Sequence, residues 1–77
     1  MDDTTYDELT LMMLYAKSWS EKYSGDCRYS WKGFDFDSLN RLEEKEYISG
    51  NHKSKSTILT PEGVEEAKKL LAKYGFE

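Results

Sequence analysis

Cysteine, histidine and proline occur once each in the 77 residues, as Cys27, His52 and Pro61, and glycine five times. A single cysteine excludes an intrachain disulfide framework, so nothing calls for an oxidising compartment, and the expected location is the cytoplasm. One cysteine and one histidine also lack the paired ligands at fixed spacing that a zinc site needs, so no metal or cofactor site is expected. A Cys-His or Ser-His-Asp catalytic set would have to use His52, which lies in the most polar turn of the chain, where little would orient a base. The chain is therefore read as non-enzymatic, with no catalytic residues. Long apolar runs are missing too: none approaches the roughly 18 residues of a spanning helix, and MDDTTYDELT is acidic where a secretory leader is basic. No membrane partner is expected. Positive charge is also short, with 11 Lys and Arg against 15 Asp and Glu and a net charge of −4. Autonomous nucleic-acid modules are usually basic, so this balance counts against DNA as the main partner.

What is present is packing material. Six tyrosines, three phenylalanines and two tryptophans, with 38% hydrophobic residues, are too many for a disordered tail. A chain of this length buries only about 60% of the surface its unfolded state exposes, so one domain of modest stability, residues 1–77, is expected.

The first helix is expected from a capping box at Thr5-x-x-Glu8. Tyr6, Leu9, Met12, Met13, Ala16, Trp19 and Tyr23 recur at three- and four-residue steps, and Gly25 is the natural stop. Leu11 and Leu14 fall beside that stripe, which makes this helix apolar over more than half its circumference: either the central packing element or in part a dimer face. The stretch DCRYSWKG, residues 26–33, reads as irregular, with Tyr29 and Trp31 spaced as in a brief extended piece; a single helical turn is the alternative. Asp35 or Asp37 caps a second helix whose inward face would be Phe36, Leu39 and Leu42, with Phe34 folding back as a staple and Arg41, Glu44 and Lys45 outward. From Tyr47 the period becomes two. Tyr47-Ile48, a turn carrying Gly50-Asn51, and Ser56 to Leu59 read as a hairpin. Thr60-Pro61-Glu62 opens the last helix with a cap hydroxyl, a first-position proline and a first-turn acid. Its apolar face is Val64, Ala67, Leu70, Leu71 and Tyr74, and Gly75-Phe76 closes it. The order helix, aromatic turn, helix, hairpin, helix is that of an α+β, winged-helix-like domain.

Leu42, Glu44, Lys45, Tyr47, Ile48 and Ser49, followed by Lys55, Ser56, Leu59, Thr60, Glu62, Gly63, Ala67, Leu70 and Leu71, resemble the wing region of MarR- and PadR-type winged-helix regulators. With WKGFDFD at Trp31 to Asp37 added, the whole chain resembles a family of small bacterial proteins of unknown function, which implies no activity. Two positions depart from the regulator pattern. Glu46 stands where such proteins usually carry a glycine in the left-handed conformation, and DCRYSWKG is too short for the full scaffold helix of a helix-turn-helix.

Two surfaces are candidates for function. Tyr29, Trp31 and Lys32, with the apolar overflow Leu11 and Leu14, would form a patch for another protein or a second copy of the chain, since aromatic side chains dominate interaction hot spots. The hairpin tip, with His52, Lys53 and Lys55 and Arg28 alongside, is the site a DNA-associated regulator would use against phosphate. Asp35, Asp37, Glu43 and Glu44 near the ends of the second helix would repel that phosphate. The leading expectation is thus a protein-interaction module, with DNA association as the alternative.

Overall fold

The computed structural model describes residues 1–20, 25, 27–50 and 55–76. Its elements run α1 (Asp3–Ala16), β1 (Arg28–Trp31), α2 (Phe36–Glu44), β2 (Ile48–Ser49), β3 (Ser56–Leu59) and α3 (Pro61–Lys73). The strands form one antiparallel sheet in the order β1-β3-β2, and the three helices pack on one of its faces. This is the α+β, winged-helix-like arrangement expected, with β2 and β3 as the wing strands.

Helix α1 starts earlier and stops sooner than its periodicity implies. Asp2 is the cap, its Oδ1 accepting from the Thr5 amide at 2.8 Å, so the Thr5 box is not the start. The helix closes at Ala16, not near Gly25, because the chain turns off to run beside β1: Trp19 and Tyr29 exchange both backbone hydrogen bonds, at 2.9 and 2.8 Å. Trp19 is therefore an extended residue added to the sheet edge. Tyr23 lies outside the described residues.

Of the stripe expected to be buried on α1, Met12 is buried, at 4% exposed, but most of the side is turned outward. Leu11 and Leu14 are 1% and 0% exposed, whereas Tyr6, Leu9 and Met13 are 41%, 38% and 53% exposed. Asp7 and Thr10 explain the rotation. Both are buried facing α2, where Ser38 Oγ donates to Asp7 Oδ1 at 2.7 Å and Arg41 donates to the same carboxylate through Nε at 2.6 Å and Nη2 at 2.9 Å. Arg41, expected to point outward, is thus the partner of a buried carboxylate, because a charge taken out of water needs both a counter-charge and hydrogen bonds.

Helix α2 is capped by Asp35, whose Oδ2 accepts from the Ser38 amide at 3.2 Å. Leu39 and Leu42 are buried and Phe34 packs against the core as a staple should, but Phe36 is 79% exposed. At 100° per residue the buried arc is centred between Ser38, Leu39 and Leu42, and Phe36 falls about 110° from it, outside the core-facing stripe. The helix ends in a paired reverse cap: the Glu46 amide donates to Glu43 O and the Tyr47 amide to Leu42 O. This geometry places Glu46 in the left-handed region at φ 63°, so the chain keeps the conformation and forgoes the glycine. Gly75, at φ 83°, closes α3 by the same pair of bonds, to Ala72 O and Leu71 O.

The brief extended piece read at Tyr29 and Trp31 within an irregular stretch is a full strand over residues 28–31, in register with β3: Arg28 opposite Leu59, Ser30 opposite Thr57, Trp31 opposite Ser56. Alternation then sorts the faces. Ser30, Ile48, Thr57 and Leu59 point into the core, while Tyr29, Trp31, Ser49 and Ile58 lie on the outer face. Helix α3 follows its sequence signals closely. Thr60 Oγ1 accepts from the Gly63 amide at 3.0 Å and itself lies 2.7 Å from Glu46 O, tying the start of α3 to the end of α2. Gly63 is required at that junction, since a Cβ there would sit 1.9 Å from Tyr47 O. Leu11, Leu14, Leu39, Leu42, Ile48, Leu59, Ala67 and Leu70 meet in a single core.

Candidate interaction surfaces

Two exposed surfaces carry side chains that the core does not use. The first lies between α1 and α3. With Leu11 and Leu14 turned inward, the opposite stripe of α1 presents Leu9 and Met13 beside Ala16, and the capped end of α3 brings Leu71 and Phe76 alongside. These side chains line a surface groove of about 580 Å³ together with Met12, Tyr15 and Arg28. Phe76 is 71% exposed. Polar contacts fix the groove's walls. The Tyr74 hydroxyl donates to Glu8 Oε1 at 2.8 Å and Lys73 Nζ stands 3.7 Å from Glu8 Oε2, which latches α3 to α1. That hydrogen bond pushes the Tyr74 phenol above its ordinary value, since it holds the neutral O–H form, and the like charge of Glu8 adds to it. At the other end Arg28 Nη2 donates to Ser18 O at 3.0 Å while its guanidinium stands over the Tyr15 ring. Charge is asymmetric along the stripe: Asp2 stands at the start of α1, Lys17 and Arg28 at its end.

The second surface is the outer face of the sheet. Trp19 stacks on Tyr29 with ring centroids 6.1 Å apart and meets Trp31 at 5.1 Å, so three aromatic rings form one cluster at the β1 edge. Trp31 is 55% exposed. The Lys32 amide donates to Lys55 O at 2.8 Å, which sets two lysines side by side where β1 ends and β3 begins.

The expected patch is thus divided. Tyr29, Trp31 and Lys32 do share the outer sheet face, while Leu11 and Leu14 are core residues and contribute to no surface. Of the expected wing contacts, Lys55 is exposed at the start of β3; His52 and Lys53 lie outside the described residues. Arg28 sits at the far end of β1, opposite Leu59, with its guanidinium bound to Ser18, and does not extend the wing. Sequence reasoning missed Leu9, Met13, Leu71 and Phe76 as a shared surface. The signal was present in the double apolar face of α1, but choosing the outward side required knowing where Asp7 pairs.

Asp35 is used as a cap and Asp37 is exposed. Among the described residues no three His, Cys, Asp or Glu side chains converge as a metal site. Asp7 is held below the ordinary carboxylate range by its bonds from Arg41, with burial acting against them and Ser38 helping. The partner guanidinium is correspondingly shifted up. A carboxylate so held is a poor proton acceptor, and its role is to join α1 to α2. Among the described residues no helix is long and apolar enough to cross a membrane.

Residues 2–77 match the model of a family described as "Domain of unknown function (DUF6429)". The chain is similar to "Uncharacterized protein y4hR" of Sinorhizobium fredii (strain NBRC 101917 / NGR234), 34% identical over 71 residues, which cover 91% of this chain and 88% of that protein. No solved structure matches the chain. The resemblance to a small bacterial family of unknown function is borne out at that level.

Proposed function

We propose that this protein, which belongs to the DUF6429 family of unknown function, is a non-enzymatic protein-interaction module that docks its partner on the groove between α1 and α3. The observation that carries this reading is the exposure of Leu9, Met13 and Phe76 around one apolar groove on a chain otherwise rich in charge. Solvent-exposed apolar side chains scattered singly need no explanation, but a contiguous set rimmed by polar residues marks an interaction site. A photo-activated crosslinking side chain placed at Met13 tests it in living cells. A covalent adduct heavier than the single chain is expected from Met13 and not from a control position such as Glu62 on α3. Equal labelling of the two positions, or an unmodified chain from both, overturns the proposal.

A second reading is favoured by the juxtaposition of Lys32 and Lys55 beside the aromatic cluster. On it, the protein is a DNA-associated regulator that contacts phosphate through the wing. Salt-sensitive binding to duplex DNA, weakened by Lys53→Glu together with Lys55→Glu, is the result this reading expects. Binding that is absent at low salt, or indifferent to both substitutions, removes it.

A further inference from the structure

We propose that the occupant of the α1–α3 groove is a second copy of the same chain, seated with its α1 antiparallel to this one about a twofold axis that passes between Leu9 and Met13. The inference rests on the interaction reading above and names its partner.

Three features of the stripe support it. First, the outward line of α1 is self-complementary in shape. At 100° per residue Leu9 and Met13 straddle its centre, with Ala16 and Tyr6 flanking them on opposite sides. A twofold axis between Leu9 and Met13 sets each Leu9 against the other copy's Met13, as an isologous contact requires. Second, the line is self-complementary in charge only when antiparallel. Asp2, whose carboxyl is held low by its bond from the Thr5 amide, stands at one end, and Lys17 and Arg28 at the other. A parallel pairing would bring like charges together at both ends, whereas the antiparallel one places each Asp2 toward the opposite cationic end. Lys17 is an exposed residue whose Nζ stands 4.4 Å from the centre of the Phe34 ring, just before α2. The helix dipoles also favour the antiparallel order. Third, the area sets the strength. A standard interface takes roughly 800 Å² from each partner, about 15% of this chain's 5206 Å². The exposed apolar side chains of this face are few, with Leu9, Met13 and Phe76 at 38%, 53% and 71%, so the pairing is a reversible dimer rather than a locked one.

Sedimentation of the purified chain tests this directly. A monomer–dimer equilibrium that shifts with concentration is expected, and Leu9→Glu, at a position already partly exposed, should weaken it at least tenfold while the circular dichroism spectrum is unchanged. Met13→Glu is the second variant, should Leu9→Glu disturb the helix. Orientation is read by oxidation in a Cys27→Ser background. Leu9→Cys mixed with Met13→Cys should form a disulfide between copies, whereas Lys17→Cys alone should stay reduced, since the antiparallel pairing holds the two copies of that position about 18 Å apart along the axis at 1.5 Å per residue. Self-crosslinking of Lys17→Cys as fast as the mixture overturns the antiparallel arrangement. A monomer up to millimolar concentration overturns the second copy as occupant. If crosslinking from Met13 in cells then still yields an adduct with a different polypeptide, the interaction reading stands without this inference; if it yields none, both fall.

Discussion

Replacing Arg41 by alanine removes the guanidinium that allows Asp7 to be buried as a charge. Asp7 is 3% exposed and its carboxylate takes two bonds from Arg41 and one from Ser38. The Arg41 side chain is itself 32% exposed, so the pair is open to water on one side. Removing one partner of a fully buried pair costs about 3–5 kcal/mol, and water on the open side places the expected cost at the low end, about 3 kcal/mol. A domain of this length has roughly 4–12 kcal/mol in total, so the loss is a quarter of it or more. At about 4–8 °C for each kcal/mol, the midpoint of thermal unfolding should drop by roughly 12–24 °C. The pH dependence carries a distinct sign. In the natural protein Asp7 has a folded pKa below its ordinary 3.8, so its contribution is fully present above that value and is lost as the pH falls through the folded pKa. In Arg41→Ala only the Ser38 bond and the charge of Lys45 still oppose burial, so the folded pKa rises past the unfolded one, and folding then takes up a proton. The stability gap between the two proteins should therefore narrow between about pH 7 and pH 4 in urea unfolding curves. A gap under about 1 kcal/mol at neutral pH, or one that stays constant down to pH 4, would refute the view that Arg41 holds Asp7 charged.

Three other substitutions probe the backbone and the core. Glu46→Gly should stabilise the protein by about 0.5–1 kcal/mol, because the left-handed strain it relieves exceeds the entropy that glycine adds to the unfolded chain; a lower denaturant midpoint would show that the Glu46 side chain contributes something else. Gly63→Ala places a Cβ 1.9 Å from Tyr47 O, and the helical spectrum should be lost or stability cut by about 3 kcal/mol or more, since backbone on both sides has to move. A Gly63→Ala protein of natural stability would show that the junction between α3 and β2 is looser than described. Ser30 Oγ is buried without a hydrogen-bond partner among the described residues, so Ser30→Ala should be neutral or stabilising by up to about 1 kcal/mol in thermal unfolding; a clear loss would mean that a bound water satisfies the hydroxyl.

Local chemistry was legible in the sequence, and long-range pairing was not. The bounds of helix α3 could be read because Thr60, Pro61, Glu62 and Gly75 act within a turn of where they stand, while Tyr74, read as part of its apolar face, is 42% exposed. Asp35 as a cap, the two wing strands and the anomalous position of Glu46 were readable for the same reason. Strand β1 was legible only as a brief extended piece at Tyr29 and Trp31, because RYSW owes its place in the sheet to β3, more than twenty residues further along. The end of α1 was hidden too: Ala16, Trp19 and Tyr23 continue the helical period, and what stops the helix is the pairing of Trp19 with Tyr29. Most costly was the rotation of α1. Both of its sides are apolar, so periodicity cannot choose between them, and hydropathy sends Asp7 and Thr10 outward. Their partners Ser38 and Arg41 on α2 turn them in, and that rotation alone exchanges Leu11 and Leu14 for Leu9 and Met13 on the surface.

The same pairing bears on the resemblance to DNA readers. In a winged-helix arrangement α2, which precedes the wing, would face the duplex. Here Ser38, Leu39 and Leu42 are buried, and Arg41 is bound to Asp7 and lies 3.8 Å from Asp3, while Asp37, Glu43 and Glu44 remain exposed. The guanidinium that would meet phosphate is spent inside the protein, and the carboxylates are not. Any duplex binding would then rest on the end of the sheet where Lys32 and Lys55 are joined, and on Lys53, which the sequence places between β2 and β3. Three phosphate contacts release counterions to a slope of about −2.7 in log affinity against log salt, a loss of about 40-fold between 50 mM and 200 mM. Anisotropy titrations over that range decide the matter: a slope near this value is what the wing alone can supply, and a markedly steeper one would require α2 to meet phosphate, which its exposed carboxylates and its committed arginine oppose.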